Sequence, residues 1–554
     1  MINISDLQKN MHGEVRADDA TLELYSRDAS LFEVKPEAVV FPLDSADVQA
    51  VVKYVSEHKP LDPTLSITPR SAGTDMSGGP LNESIIMDFM VHMNNITSIS
   101  DESAIAQPGV FYRDFEKETK KRDRIMPAYT ASKEINAIGG MVANNSGGEK
   151  TIKYGKVERY VLRQKVVFAD GNEYTVVPLT KAQLDAKIAQ NDYEGNLYKA
   201  LYTLIEGNYD AIKAARPSVS KNSAGYYLWN VWDRETGIFD LNKLIVGAQG
   251  TLGITTLVEL GLVPIPKYSR MVVMYLPTIA RLGEVVDTVM KYDPESFESY
   301  DDYSMKLAIH YAFDFFKVLG FKEAIKLGLQ FIPDMLTVIK GGVPKLILMV
   351  EVTGDDEVVL LKRANDIKEA VAQFKYQTHV AKSAAEVEKY WKIRRESFNL
   401  LRKHVKGKRT APFIDDVIVS PHQMPEFLPK LQAILEEYKL IYTIAGHAGN
   451  GNFHIIPLMD LDNPLSSDII LNLSQRVYTL VAEYKGSITA EHNDGIIRTP
   501  FLPYMYNPEM IRIFALVKHI FDPLNIFNPG KKVGGSFEYI KKHLIRAHEH
   551  THAS

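Results

Sequence analysis

Two short fragments hold residue types whose spacing could do chemistry, TIAGHAGNGNFHIIP at 443–457 and AEHNDG at 490–495. In the first, an apolar run enters, Gly449-Asn450-Gly451 turns it, and a second apolar run leaves. Asn-Gly between two such runs predicts a β-hairpin with positive φ at both turn residues. Centred between Asn450 and Gly451, that hairpin makes His447 and His454 directly opposed cross-strand partners. Opposed β-carbons lie about 4.5–5.5 Å apart, close enough for two imidazoles to share one ion. The second fragment offers Glu491 and His492. Two histidines and a carboxylate with a coordination position left open describe a catalytic metal site. A histidine beside a glycine-rich turn is also an ordinary loop residue, and the hairpin alone names no reaction.

The elements that must position these groups belong to a long chain. At 554 residues it has room for two to four domains. Hydrophobic content of 45% and charged content of 24% are those of a globular protein, and a net charge of −5 argues against a nucleic-acid partner. There is no cysteine, which excludes disulfides, thiolate zinc sites, cysteine-held iron–sulfur clusters and a cysteinyl flavin link within these residues. Any metal must use His, Asp or Glu. Residues 1–20 hold no apolar run that could serve as a signal peptide, and no window offers a membrane-spanning run. The expected compartment is the cytoplasm.

Along the chain, VVFP at 39–42 reads as a strand and Ser45–His58 as an amphipathic helix capped by Asp44 or Ser45. PRSAGTDMSGG, from Pro69 to Gly79, lies between strands SITP and SIIMDF and can form an anion nest. It is not GxGxxG and no long helix follows, so it is not a Rossmann fingerprint. A helix is predicted from Tyr112 to about Arg122. After it, AIGGMVANNSGG brackets Asn144 and Asn145 with paired glycines, whose small side chains allow a backbone to approach a flat or anionic group closely. Two strands meet at the turn Ala169-Asp170-Gly171, and VGAQGTLGI at 246–254 precedes the strand TTLVEL. Three glycine clusters separated by strands suggest one large ligand touched from several loops.

Taken in order, PRSAGTDMSGG, PAYTAS with IGGMVANNSGG, KYG and GAQGTLGI resemble the FAD-binding half of the vanillyl-alcohol-oxidase-type (PCMH-type) flavoproteins. WKIRRES at 391–397, GHAGNGNFH, AEHNDGIIRTPF and DPLNIFNPGK resemble the branch containing D-lactate dehydrogenase, the glycolate oxidase flavin subunit and D-2-hydroxyglutarate dehydrogenase. KNSAGYYL at 221–228 is similar to the large bacterial members that also carry iron–sulfur modules, which this sequence lacks. The resemblance implies an α+β fold with a two-subdomain FAD domain over 1–268. It implies an antiparallel-sheet substrate or cap domain over 269–470, and a C-terminal helical segment over 471–554 returning to the flavin.

The implied activity is oxidation of a D-2-hydroxy acid by hydride transfer to flavin N5. His447, His454 and Glu491 would bind a divalent metal, zinc or manganese, and His492 would be the general base. Arg394 would bind the substrate carboxylate, with Arg498 a second candidate. FAD would be held by Arg70, Ser71, Ala72, Gly73, Thr74, Asp75, Ser132, Gly139, Gly140, Asn144, Asn145, Gly148, Gly250, Gly253, Ile254 and Asn528. The first loop has no histidine for covalent attachment, so FAD is expected to dissociate. Tyr129-Thr130 stands where relatives have Asp-Pro. Ile414 and Ile456 stand where hydroxyglutarate-type relatives have lysine and a polar residue, which argues against a dicarboxylate substrate. In a regular strand Glu491 and His492 would point to opposite faces, so both serve one site only if the chain leaves strand geometry there.

Residues 304–345 recur in aromatic and aliphatic side chains at helical spacing with lysines among them. They read as a helix pair buried in the cap, or as an apolar patch for the inner face of a membrane or an electron-accepting partner. Expected partners are a small D-2-hydroxy acid and an acceptor that could be a quinone, an electron-transfer flavoprotein, a cytochrome or a separate iron–sulfur protein, with a homodimer open. Two other readings are a flavoprotein subunit working only inside a larger complex, and a flavin-free metallohydrolase using His447, His454 and Glu491 with activated water.

Overall fold

The computed structural model describes residues 2–302, residues 344–391 apart from 382, 384, 385 and 389, and residues 408–546. Arg394 and most of the 304–345 segment lie outside the described residues.

Three sheets carry the molecule. The first takes the order β1 (Glu14–Arg16), β2 (Ala38–Phe41), β4 (Ile85–Asp88), β3 (Ile67–Arg70), with β2, β4 and β3 parallel. β2 and β4 are buried along their whole length, as continuous apolar runs in a parallel sheet require. Helix α1 (Ser45–His58) covers this sheet with Val48, Val51, Val52 and Val55, the i, i+3, i+4, i+7 stripe of a helix face. Its cap is Asp44, whose carboxylate accepts the amides of Ala46 and Asp47.

The second sheet is antiparallel, in the order β5 (Ile96–Ile99), β6 (Ser103–Ala106), β9 (Ile254–Gly261), β7 (Val161–Val167), β8 (Glu173–Val176). Every second residue of β9 is buried, from Ile254 to Leu260. Against this sheet pack the helix α2 (Tyr112–Lys120) and a short helix α3 (Ile138–Asn144) whose first turn contains Gly139-Gly140.

The third sheet is antiparallel with eight strands, β13 (Gln377–Val380), β10 (Tyr268–Leu276), β12 (Leu346–Gly354), β11 (Ser296–Asp301), β16 (Ile441–His447), β17 (Asn452–Met459) and β14 (Arg409–Thr410) in that order, with β15 (Val417–Ile418) also pairing β17. The tail then returns to the first sheet. Ile67 donates its amide to Ile526, and Asn528 donates its own to Ile67, so residues 526–528 run beside β3.

The predicted hairpin forms, with a different register. Its last pair is His447 with Asn452, and His454 stands opposite Ala445. Ala448–Asn450 make one 3-10 turn, and only Gly451 takes a positive φ, 74°. The loop is therefore four residues rather than two. A β-carbon at Gly451 would sit 2.0 Å from the Val419 carbonyl oxygen, so the turn can hold only glycine there.

A candidate active site at the end of a flavin cleft

The register differs from expectation by two residues, and a shift of two keeps every side chain on its own face. His447 and His454 therefore still share a face as diagonal neighbours, within reach for long side chains. Their Nε2 atoms lie 3.3 Å apart and their rings stand at 85°. Each Nδ1 is held by a buried carboxylate, Glu298 at 2.5 Å for His447 and Asp415 at 3.0 Å for His454. The first contact follows from strand pairing. Ser299 pairs Gly446 and Tyr300 pairs Ala445, so one step further along the ladder Glu298 faces His447.

Glu491 completes the cluster, with Oε1 3.4 Å from His447 Nε2. The segment holding it is not a strand. Asp416 Oδ2 accepts the consecutive amides of Glu491 and His492 and the Thr489 hydroxyl, each at 2.7 Å. Asn493 adopts φ 70° immediately afterwards. One carboxylate thus folds the chain so that both 491 and 492 reach the same cavity, the departure from strand geometry that the sequence required. Asp416 itself takes φ 76°, and its Oδ1 accepts from Asn452 at 3.1 Å. Asp416, His454, Glu491 and His492 offer atoms within 4.8 Å of one another. The Asp416 oxygens are already taken up by four donors, so it shapes the site rather than presenting a free ligand.

Tetrahedral ligands about 2.0–2.2 Å from a central ion lie roughly 3.3–3.5 Å from each other. The separations of His447 Nε2 from His454 Nε2 and from Glu491 Oε1 have that length, and both histidines carry the carboxylate support at Nδ1 that metal-bound imidazoles use. These two separations suit a divalent cation, with Glu491 Oε1 shared between the site and the Lys221 ammonium. Glu491 also meets the fully buried Lys221 ammonium in a short ion pair, and Lys221 donates to Asn452 Oδ1 at 3.2 Å. Burial alone would raise the Glu491 carboxyl, but Lys221 and His447 hold it well below the ordinary range.

His492 stacks on His454 at 5.0 Å, and its Nδ1 lies 2.9 Å from Asp415 Oδ2, leaving Nε2 for the cavity. Burial opposes its charged form, yet Asp415 and then Asp416 overcome this and push it up to about 9. Asp415 is pulled below the ordinary carboxyl range, because the charges of His492 and His454 outweigh its burial.

These groups line one end of a cavity of about 570 Å³ whose other end is formed by the three glycine clusters. Of the residues expected to hold FAD, thirteen line it, namely Arg70 to Asp75, Ser132, Gly139, Gly140, Asn144, Gly148, Gly250 and Gly253. The cradle is open where a flat ligand needs it, since a β-carbon on Gly140 would meet nothing nearer than Ser71 Cβ at 4.0 Å. The first loop is not an empty anion nest. Asp75 Oδ2 takes the amides of Ser77 and Gly79, and its Oδ1 accepts from Asn144 at 2.8 Å. Where Tyr129-Thr130 departs from relatives, the wall is made by Thr130, whose hydroxyl bonds Ser132 at 2.8 Å and Asn136 at 2.7 Å.

The remaining expected residues stand away from the cavity lining. Asn145, Ile254 and Asn528 do not line the cavity. Asn145 accepts the Glu158 amide at 3.0 Å, and Ile254 is packed in the core. Asn528 ties the loops together, donating to Gly79 and Gln249 carbonyls while accepting from Thr68. Arg498 is fully buried and gives its guanidinium to the backbone carbonyls of Asn493 and Asp415, so it braces the turn and is not available to a substrate carboxylate. Ile414 is in the core, whereas Ile456 does line the cavity.

Sequence reasoning missed Glu298, Asp415, Asp416, Lys221 and Gln249. The last is a junction, donating to Ser77 and Asn144 and accepting the Gly495 amide at 2.9 Å. Lys221 and Gln249 lie inside KNSAGYYL and GAQGTLGI, but nothing local assigns them a role. For the acids the cues were the adjacent pair in FIDDVIV and Glu298 in the strand SFESYD.

The chain matches a family model for an FAD binding domain over residues 36–176 and one for the C-terminal domain of FAD linked oxidases over residues 265–532. It is 28% identical over 529 residues to D-2-hydroxyglutarate dehydrogenase of Pseudomonas putida, covering 94% of this chain but 50% of that protein. The chain thus spans about half the length of that relative. It is 26% identical to D-lactate dehydrogenase of Anaerostipes hadrus over 90% of each chain. Its fold is shared with p-cresol methylhydroxylase, at a TM-score of 0.66, 15% identity and 96% coverage of both chains.

Proposed function

The chain belongs to the FAD-linked oxidases, and we propose that its reaction is oxidation of a D-2-hydroxy acid to the 2-oxo acid. The observation that carries this is the single cavity joining the FAD-binding loops to the cluster of His447, His454, Glu491 and His492. We assign residues 1–268 to cofactor binding, 269–470 to the substrate side and 471–554 to the segment that closes on both.

The chemistry that FAD supplies when bound is acceptance of the substrate's hydride at N5. His447, His454 and Glu491 would hold a divalent cation, zinc or manganese, whose contribution is Lewis-acid polarisation of the substrate oxygens. His492 takes the hydroxyl proton at Nε2, with the Asp415 carboxylate 2.9 Å from its Nδ1 to favour the charged ring that results. Arg498 and Asp416 hold the 489–493 turn that presents Glu491 and His492 together. Flavin is held without a covalent link, through Arg70 to Asp75, Gly139-Gly140 and Gly250. Electrons then pass to an acceptor other than a cysteine-held cluster within these 554 residues, which contain no cysteine.

Beyond the histidines, the same hairpin face continues as Ala445, Thr443 and Ile456 along the cavity wall. Among the described residues no cation stands on this stretch of wall to meet a second carboxylate. The reading this favours is a substrate with an apolar side chain, as in D-lactate or a longer aliphatic homologue. A panel of D-2-hydroxy acids under anaerobic conditions tests this reading. Bleaching of the flavin by D-lactate or D-2-hydroxyvalerate in preference to D-2-hydroxyglutarate is expected. Bleaching only by a phenol or an alditol would overturn the substrate class. Among the described residues no helix is long and apolar enough to cross a membrane.

A further inference from the structure

A second cavity, of about 340 Å³, shares no lining residue with the flavin cleft. Its floor is made by the buried Ser66, Asn82, Ser84 and Lys531, and its wall by Lys59 and the glycines Gly530 and Gly534. We propose that this cavity is a binding site for a small oxyanion, a phosphate or a carboxylate group, gripped by Lys531 and Lys59.

The Lys531 side chain is 2% exposed, and its ammonium donates to the Leu81 carbonyl at 2.6 Å. An ammonium has three donors, so two remain without a protein acceptor. A buried ammonium without an anionic contact is costly, and an oxyanion beside it removes that cost. Burial pushes the group down to about 7, with Asp28 and Glu83 only partly offsetting this. Lys59 gives two donors to the carbonyls of Pro63 and Leu65 and keeps one. The Ser84 hydroxyl oxygen accepts the Ser66 amide at 3.0 Å, which leaves its O–H to donate. Gly530 and Gly534, at φ 77° and 74°, have nothing within 4 Å of where a β-carbon would stand, so the backbone there is open to a ligand.

Two carboxylates also line the cavity, and both are engaged. Glu83 pairs with Lys542 at 2.6 Å and lies 3.4 Å from His543, and Glu37 accepts the Ile2 amide at 3.1 Å. Both lysines therefore line the cavity with donors to spare, while the acids are held by other partners. The site borders the machinery described above. Ile496 lines it and donates its amide to Ser77 of the first flavin loop, Asn528 of the same tail segment ties the flavin loops, and the neighbouring Lys532 pairs with Asp494 at 3.0 Å.

The test is calorimetric titration of the FAD-saturated protein with inorganic phosphate, and separately with succinate, at constant ionic strength. Saturable binding of at least one of them, with Kd below about 1 mM, is expected. Lys531→Gln should weaken it at least tenfold and Lys59→Gln several-fold. If Lys531→Gln does not fold, Lys59→Gln decides alone. Phosphate-only or succinate-only binding identifies which group the site takes. Absence of saturable binding by both anions, or undiminished binding in the folded variants, would overturn the proposal.

Discussion

His447 and His454 point their Nε2 atoms at each other across 3.3 Å although they are not cross-strand partners. What aims them is the pair of carboxylates behind, Glu298 in a strand of the sheet and Asp415 in the turn just before another. The proposed cation site is therefore a property of five side chains, the three ligands and the two carboxylates behind the histidines, and the ligands alone do not define it.

Glu298→Gln should accordingly weaken divalent-metal affinity by about 10–100-fold, the usual effect of removing a carboxylate that supports a ligand histidine. Flavin content should not change, because Glu298 does not line the flavin cleft. Competition with a chromophoric chelator, read beside the flavin absorbance, checks both halves.

Asp416→Ala would remove the acceptor of two consecutive amides and a hydroxyl, leaving buried donors unpaired. At roughly 1–3 kcal/mol for an unsatisfied buried group, the loss should be at least about 2 kcal/mol in denaturant unfolding. Substrate reduction of the flavin should disappear with it. Unchanged stability would mean that the 489–493 turn is held by other contacts.

The proton-accepting role of His492 fixes a pH dependence. Only the neutral imidazole accepts a proton, and Asp415 and Asp416 raise its pKa against burial. Activity should therefore be lost as pH falls through that raised value. Asp415→Asn removes one raising charge, so the acid limb of kcat/KM should move to lower pH. A limb that stays in place or moves to higher pH would remove His492 from the role of base.

Asn528→Ala should release FAD more readily than the parent protein. Its side chain joins Gly79 of the first loop, Gln249 of the third and Thr68 beneath them, and alanine leaves all three without that partner. Flavin retention on dilution, followed by fluorescence, measures this, and a dissociation rate equal to that of the parent would contradict it.

Much of this was legible from residue order. Helix α1 and its Asp44 cap, the strands around the first glycine loop, the hairpin and the three flavin loops all follow from patterns a few residues long. The hairpin register did not, because Asn-Gly favours a two-residue turn while the close approach of Gly451 to Val419 selects a four-residue one. Glu298 and Asp415 were out of reach for another reason. They lie 149 and 39 residues from the histidines they support, and only strand pairing brings them there. Arg498 misled because a buried guanidinium bonded to carbonyls and an exposed one awaiting a carboxylate have the same sequence.

In the proposed division of labour the hairpin cluster holds a cation needed for substrate oxidation while the glycine loops hold the flavin. Anaerobic reduction of the purified protein by a D-2-hydroxy acid, recorded before chelation, after it and after metal is restored, tests this most directly. The protein should stay yellow throughout, bleach with substrate at first, fail to bleach once chelated, and recover with zinc or manganese. Bleaching that is indifferent to chelation, or loss of FAD together with the metal, would contradict that division of labour.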